Sequence, residues 1–211
     1  MFKSPMWFTR FLRFALTLSL LLPAMTTFAQ EVGPEELVRK VTADVLESVQ
    51  KDKQLQAGDR RKALALAEEK ILPLIDFEEA TRLAVARGWR TATPEQQKRL
   101  VTEFRSMLVR IYSNSMGTYQ GQTMKVLPVR MAPGATEVTV RNQYISPGKP
   151  PASVDYAMRK SAAGWKIVDI TAEGISLVLT YRSEFEQIVQ QSGIDGLIKR
   201  LVDKNTPAPT K

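Results

Sequence analysis

Two groups of carboxylates are the side chains whose type and spacing could do chemistry in this chain: Asp76, Glu78 and Glu79, and Asp169 with Glu173. Paired carboxylates can divide the work of glycoside hydrolysis, one as acid and the other as base or nucleophile. The first group falls at a predicted helix start, where negative charge suits the helix dipole and Asp76 can cap. The second flanks a strand-to-turn corner, with no polar cleft in the surrounding sequence to hold a sugar. Glu173 there reads as a turn residue bonding local backbone N–H groups.

What the chain lacks narrows the chemistry further. It has no cysteine and no histidine, which removes disulfides, thiolate nucleophiles, the commonest general base and the usual zinc ligands. It has no Gly-x-x-x-x-Gly-Lys-Ser/Thr loop to cradle a nucleotide and no Gly-x-Ser-x-Gly elbow. No catalytic residue, metal ligand or cofactor is therefore expected, and the protein does not read as an enzyme.

Stepping along the chain, Lys3, Arg10 and Arg13 precede the apolar run 14–22, Pro23 breaks it, and Thr27-Phe28-Ala29 presents small residues where a signal peptidase reads. Residues 1–29 are expected to be an export leader cleaved after Ala29, followed by a single domain over 30–204 and a disordered tail over 205–211. Removing the leader's three basic residues from the net charge of +8 leaves +5, modestly attractive to anionic surfaces and acidic partners. Nucleic acid is a poor partner for an exported protein. Arg60, Arg61, Lys62, Lys199 and Arg200 are candidates for docking acidic partners, with plain solubility as the simpler role.

Apolar residues at helical spacing predict helices over 34–51, 59–72 and 76–90, then a long helix from Thr93-Pro94-Glu95-Gln96, a capping box, to about residue 115. The period then changes to two. Strands are expected over 123–129, 136–145, 152–160 and 165–170, an antiparallel meander with one covered face. An alternating run, Ile175, Leu177 and Leu179, follows the turn at Gly174. Ser183-Glu184-Phe185-Glu186 then reads as a second capping box, Gly193 as a helix C-cap, and Asp195 as the cap of a last helix. The fold class is α+β, with N- and C-terminal helices on one face of a sheet of four or slightly more strands.

Several pieces together resemble one family: Asp76-Phe77, Gly88-Trp89 followed by Thr93-Pro94, Tyr119-x-Gly121-Gln122, Glu173-Gly174-Ile175-Ser176, Tyr181-Arg182, and Gly193-Ile194-Asp195-Gly196-Leu197. In this order they are similar to the MlaC, or toluene-tolerance auxiliary, family of periplasmic phospholipid-binding proteins. The resemblance implies a fold related to the nuclear-transport-factor-like sandwich, with an apolar cavity for acyl chains and the headgroup near solvent. It implies lipid shuttling that maintains outer-membrane asymmetry. The implied partners are an inner-membrane ABC transporter with an MCE-domain subunit and an outer-membrane lipoprotein–porin complex, with only transient membrane contact.

On that reading, the cavity lining is expected from the inward faces: Phe104, Met107, Leu108 and Ile111 of the long helix; Val138, Val140 and Tyr144; Val154, Tyr156 and Met158; and Ile175 and Leu177. Glu173 and Gly174 form the corner between sheet and lid, and the helices on either side of Gly193 are expected to move. Two other readings remain open at this point: an interaction or chaperone module with a solid core, and a binder of another apolar small molecule.

Overall fold

The computed structural model describes residues 32–113, 119 and 121–206. The leader, its cleavage position and residues 207–211 of the expected tail lie outside the described residues.

The first helix, α1 (Pro34–Lys51), starts with Pro34 in its first turn, where the missing N–H costs nothing. Asp52 caps the short α2 (Lys53–Gln56), and Asp59 caps α3 (Arg60–Lys70) by accepting from the N–H groups of Arg61 and Lys62. A 3-10 turn at Leu72–Leu74, carrying Pro73, leads to α4 (Phe77–Val85). Asp76 caps α4, accepting the Glu79 N–H at 2.9 Å. The single helix expected over 76–90 divides at Ala86, which takes φ 53° and ψ −116°, and continues as a 3-10 turn to Arg90. The long helix α5 (Pro94–Ser113) opens on the expected reciprocal box: Gln96 N–H donates to Thr93 Oγ1 at 3.2 Å, and Thr93 N–H donates to Gln96 Oε1 at 3.0 Å.

Five strands follow: β1 (Thr123–Val126), β2 (Glu137–Ile145), β3 (Ala152–Ser161), β4 (Gly164–Ala172) and β5 (Ile175–Ser176). They pair in sequence order, all antiparallel. Between β3 and β4 the register shifts: Met158 faces Ile167 while Ala157 faces Asp169, so Val168 is the extra residue of a bulge. The bulge lets consecutive residues Ile167 and Val168 both be buried, which regular alternation forbids. A two-residue turn, Glu173-Gly174, joins β4 to β5. Both residues have positive φ, 49° and 80°, as hairpin turns of this length require when they match the strands' twist.

The closing segment differs from the sequence expectation. The alternating run leaves the sheet after Ser176, and α6 runs from Leu177 to Asn205. Ser176, not Ser183, is the N-cap, its hydroxyl accepting the Leu179 N–H at 3.0 Å. A run of three apolar residues at spacing two is too short to separate strand from helix. The deciding pattern is Leu177, Val178, Tyr181 and Phe185, a helical stripe packed inward. Gly193, at φ 68° and ψ −172°, does break the helix locally. Asp195 bonds Gln96 Nε2 of α5 at 2.8 Å. Asn205, placed in the expected tail, is the last residue of α6, and its Nδ2 donates to the Glu103 carbonyl at 2.9 Å.

Two apolar cores result. One lies among α4, α5 and α6, centred on Leu100, Phe104, Met107, Phe185, Leu197 and Leu201. Phe104 meets Tyr181 and Phe185 edge to face, at centroid distances of 5.1 and 5.2 Å, a geometry favoured by the ring quadrupoles. The other lies between α1 and the sheet, with Val38, Val126, Val140, Met158, Trp165 and Ile167.

Candidate functional site

Between the two cores lies a cavity of about 180 Å³. Its walls form four sides. Leu64, Ala67 and Ile71 of α3 and its C-terminal edge form one side, and Leu72 and Ile75 continue it. Phe77 and Ala80 of α4, with Phe104, Leu108, Val109 and Tyr112 of α5, form the next. The bulged stretch Ile167–Ile170 of β4 closes the sheet side, and Leu177 and Val178 of α6 close the last.

Local structure explains three of the walls. α3 is charged at both ends around the apolar run 63–67, and Ala67 is its single buried residue, so its apolar side serves mainly to cover the cavity. The β4 bulge turns Ile167 and Val168 inward together. On α6, Leu177 and Val178 are the first residues after the Ser176 cap, so the cap fixes where they stand.

Among the described lining residues, Asp169 and Tyr112 alone have polar side chains. Asp169 Oδ1 accepts the N–H groups of Ile170 at 2.8 Å and Val178 at 3.0 Å, and Oδ2 accepts the Ser176 hydroxyl. That carboxylate is occupied in holding the β4–β5–α6 corner. Partial burial pushes the Tyr112 hydroxyl above its ordinary pKa. Tyr181 is raised too, by burial first and then by Tyr112 and Glu184 nearby. Glu173 lies in the hairpin, with its carboxylate on the Ser153 N–H. Asp76 caps α4, and Glu79 pairs with Arg82 and Arg159. Among the described residues, no cluster of acidic side chains could hold a metal ion. The arrangement can enclose apolar matter, and no described side chain beside it is poised as acid, base or nucleophile.

Of the residues expected to line a cavity, Phe104, Leu108 and Leu177 line this one. Met107 is fully buried in the helical core. Val140 and Met158 are buried in the sheet core, with Val138 and Tyr156 packed against it. Val154 is half-buried on β3. Ile111, Tyr144 and Ile175 are exposed, Ile175 by 68%. Gly174 sits in the hairpin and Gly193 at the α6 break, neither on the lining. Sequence reasoning missed the α3 face, Phe77, the β4 bulge and Val178. The signal for α3 was present: Leu64, Ala67 and Ile71 recur at helical spacing on a short helix whose two ends are charged, a pattern that covers a surface rather than fills a large core. A bulge leaves no comparable mark in the sequence.

The comparisons with known proteins agree with this geometry. The family described as "MlaC protein" matches residues 39–203. The toluene tolerance protein ttg2D of Pseudomonas putida is 26% identical over 180 residues, covering 82% of this chain and 80% of that protein. The intermembrane phospholipid transport system binding protein MlaC of Haemophilus influenzae is 21% identical over 198 residues, covering 92% of this chain and 91% of that protein. A solved structure of the phospholipid-binding protein from Ralstonia solanacearum, in complex with a phospholipid, superposes with a TM-score of 0.73 at 34% identity, covering 81% of this chain and 96% of that one. With a family match spanning most of its length, the chain belongs to the MlaC family.

Proposed function

We propose that this chain is a non-enzymatic phospholipid carrier that encloses acyl chains between its helices and its sheet. The observation that carries the reading is the apolar cavity between two separate cores, walled on one side by a helix with little other packing. The phospholipid complex of the Ralstonia relative supports the choice of ligand.

The energetics call for such a device. Moving a two-chain lipid into water exposes roughly 30 methylenes at about 0.8 kcal/mol each, on the order of 20 kcal/mol. A carrier must offer a slot nearly as good as the bilayer, so that loading and unloading are close to balanced. It needs no catalytic group.

The cavity volume adds a constraint. About 180 Å³ is close to the roughly 150 Å³ that admits one benzene in an engineered protein. Two acyl chains need several times that. Loading therefore requires the walls to part, and α3 is the wall with the least to lose. It buries one residue, whereas α6 contributes Phe185, Leu197 and Leu201 to the helical core. The moving element on this reading is α3, rather than the helices beside Gly193.

The remaining context of this reading joins the export signal expected of residues 1–29 to what membership of the family implies. The chain works in the periplasm after cleavage at Ala29, as one domain from about residue 30. It exchanges lipid with an inner-membrane ABC transporter bearing an MCE-domain subunit and with an outer-membrane lipoprotein–porin complex, and touches membranes only transiently. Because this chain has no nucleotide loop, the energy for directed transfer comes from a partner.

The test is solvent extraction of protein purified from the periplasm, followed by mass spectrometry. Phospholipid in fixed proportion to protein supports the carrier. An empty protein, or another apolar molecule in the same proportion, overturns it.

A further inference from the structure

We propose that Arg105 is the phosphate-binding residue of this cavity, and that its ligand is the phosphodiester of a lipid headgroup held at the cavity rim. The inference rests on the carrier reading and goes beyond it by naming the anion and the side chain that meets it.

Three observations lead there. Arg105 stands on α5 one turn before Val109 and two before Tyr112, both of which line the cavity, so it continues that edge of the helix at about 1.5 Å of rise per residue. Its guanidinium lies over the ring of Phe77, 5.5 Å from the centroid, and Phe77 is itself part of the cavity wall. Arg105 is exposed, and no described carboxylate pairs with it. A cation–π contact fixes the position of a guanidinium without consuming its N–H donors. The result is a positioned, uncompensated cation at the edge of an apolar chamber.

Two of the three carboxylates flanking Phe77 are already engaged, and the third, Glu78, is exposed to solvent. Asp76 is spent capping α4, and Glu79 takes both Arg82 and Arg159. Among the described residues, neither of the engaged carboxylates pairs with Arg105, which stands over Phe77. The chamber offers an anion little inside: the charged group on its described lining is the Asp169 carboxylate, which accepts three hydrogen bonds. A phosphate drawn inward would lose its hydration and meet a like charge. A few bonds separate the phosphate of a phospholipid from its ester-linked chains, so inserted chains leave it at the rim. Arginine suits it there, because its planar fork can bond two phosphate oxygens at once.

The experiment is a competition between a phosphatidyl lipid and the diacylglycerol carrying the same two chains, presented together in vesicles. The bound ratio is read by mass spectrometry of the extracted protein. Wild-type protein is expected to favour the phospholipid. Arg105→Gln should lower that ratio by about ten- to a hundredfold, the range for a charge-assisted hydrogen bond. Arg105→Lys should fall between, and Phe77→Leu should weaken the preference by loosening the guanidinium's seat. Circular dichroism and melting of each variant establish that it is folded. An unchanged ratio in folded Arg105→Gln, or no preference in the wild type, overturns the proposal. A second arm titrates inorganic phosphate into lipid-free protein: Arg105-dependent binding at micromolar phosphate would assign the site to the free ion and overturn the headgroup assignment. Failure of the carrier reading looks different, because then neither lipid is retained.

Discussion

Asp169 and Val178 are joined across the corner between sheet and final helix: Asp169 Oδ1 accepts the Val178 N–H at 3.0 Å. The same carboxylate takes the Ile170 N–H and the Ser176 hydroxyl, and Ser176 caps α6 through the Leu179 N–H. One side chain on β4 thus fixes the end of the bulged strand, the short β5 and the first turn of α6, and the first and last of these line the cavity. The pair of acidic residues that first suggested hydrolysis is a structural corner. Replacing Asp169 by alanine leaves the N–H of Val178, which is 5% exposed, without its partner. The expected loss is about 2 kcal/mol, with about half that for asparagine, which keeps one acceptor oxygen. Urea unfolding measures it, and equal midpoints for wild type and Asp169→Ala would remove the corner from the account.

Ala86 offers the opposite test. Its backbone, at φ 53° and ψ −116°, occupies a region that glycine adopts readily and other residues rarely do. Strain of this kind costs on the order of 1–3 kcal/mol, and glycine returns about 0.5–1 kcal/mol of that as extra freedom in the unfolded chain. Ala86→Gly should therefore raise stability by about 1 kcal/mol in a denaturant titration. A destabilised variant would mean that the methyl group's packing between α4 and the following 3-10 turn outweighs the strain.

The elements with strong local signals were legible in the sequence. Thr93 and Gln96 cap α5 as their spacing requires, Asp76 caps α4, and the alternation along β2 and β3 reproduces the meander. The site was less legible, for identifiable reasons. Val140 and Met158 look the same in sequence whether they face a solid core or a cavity, since both need apolar side chains; here they fill the sheet core. Val168 joins the wall because of a register shift set by pairing with β3, which no local pattern records. Leu177 lies on the cavity wall as the first residue of α6, although the alternating run at 175, 177 and 179 does not announce a helix, because apolar character fixes the face before it fixes the dihedrals.

Ala67 probes the cavity itself. It is buried on α3 and faces the empty volume. Leucine at this position adds about three carbons to the space, worth up to roughly 2 kcal/mol at about 0.8 kcal/mol per methylene. Lipid-free Ala67→Leu should melt higher than lipid-free wild type, while the lipid recovered per protein falls. A lower melting point would show that the space beside Ala67 is already filled.

Tyr156 gives a pH signature. Burial raises its pKa above the ordinary 10.0, and its hydroxyl donates to the Met124 sulfur at 3.6 Å. A folded-state pKa above the unfolded one means that the fold holds the proton more tightly. The stability it contributes is complete below pH 10 and is lost as pH climbs through the folded value. Tyr156→Phe should be nearly neutral at pH 7, because a sulfur acceptor is weak, and should flatten the decline in melting temperature above pH 10. Parallel declines in the two proteins would show that the phenol stays neutral in both states or reaches water when folded.

Hydrogen exchange locates the wall that moves. If α3 parts from α5 to admit acyl chains, stripping the lipid leaves α3 covering a partly empty chamber, and missing contacts at a cavity surface cost stability. The stripped protein should melt lower than the lipid-bound one, since ligand that binds only the folded state stabilises it by mass action. The loss of amide protection should concentrate in α3, Arg60–Lys70, whose single buried residue is Ala67. The α6 segment bearing Leu197 and Leu201, both fully buried, should change little, because its opening requires breaking the helical core. Identical melting points with and without lipid would argue against the cavity as the binding site. Protection lost around Gly193 and retained in α3 would move the gate to α6.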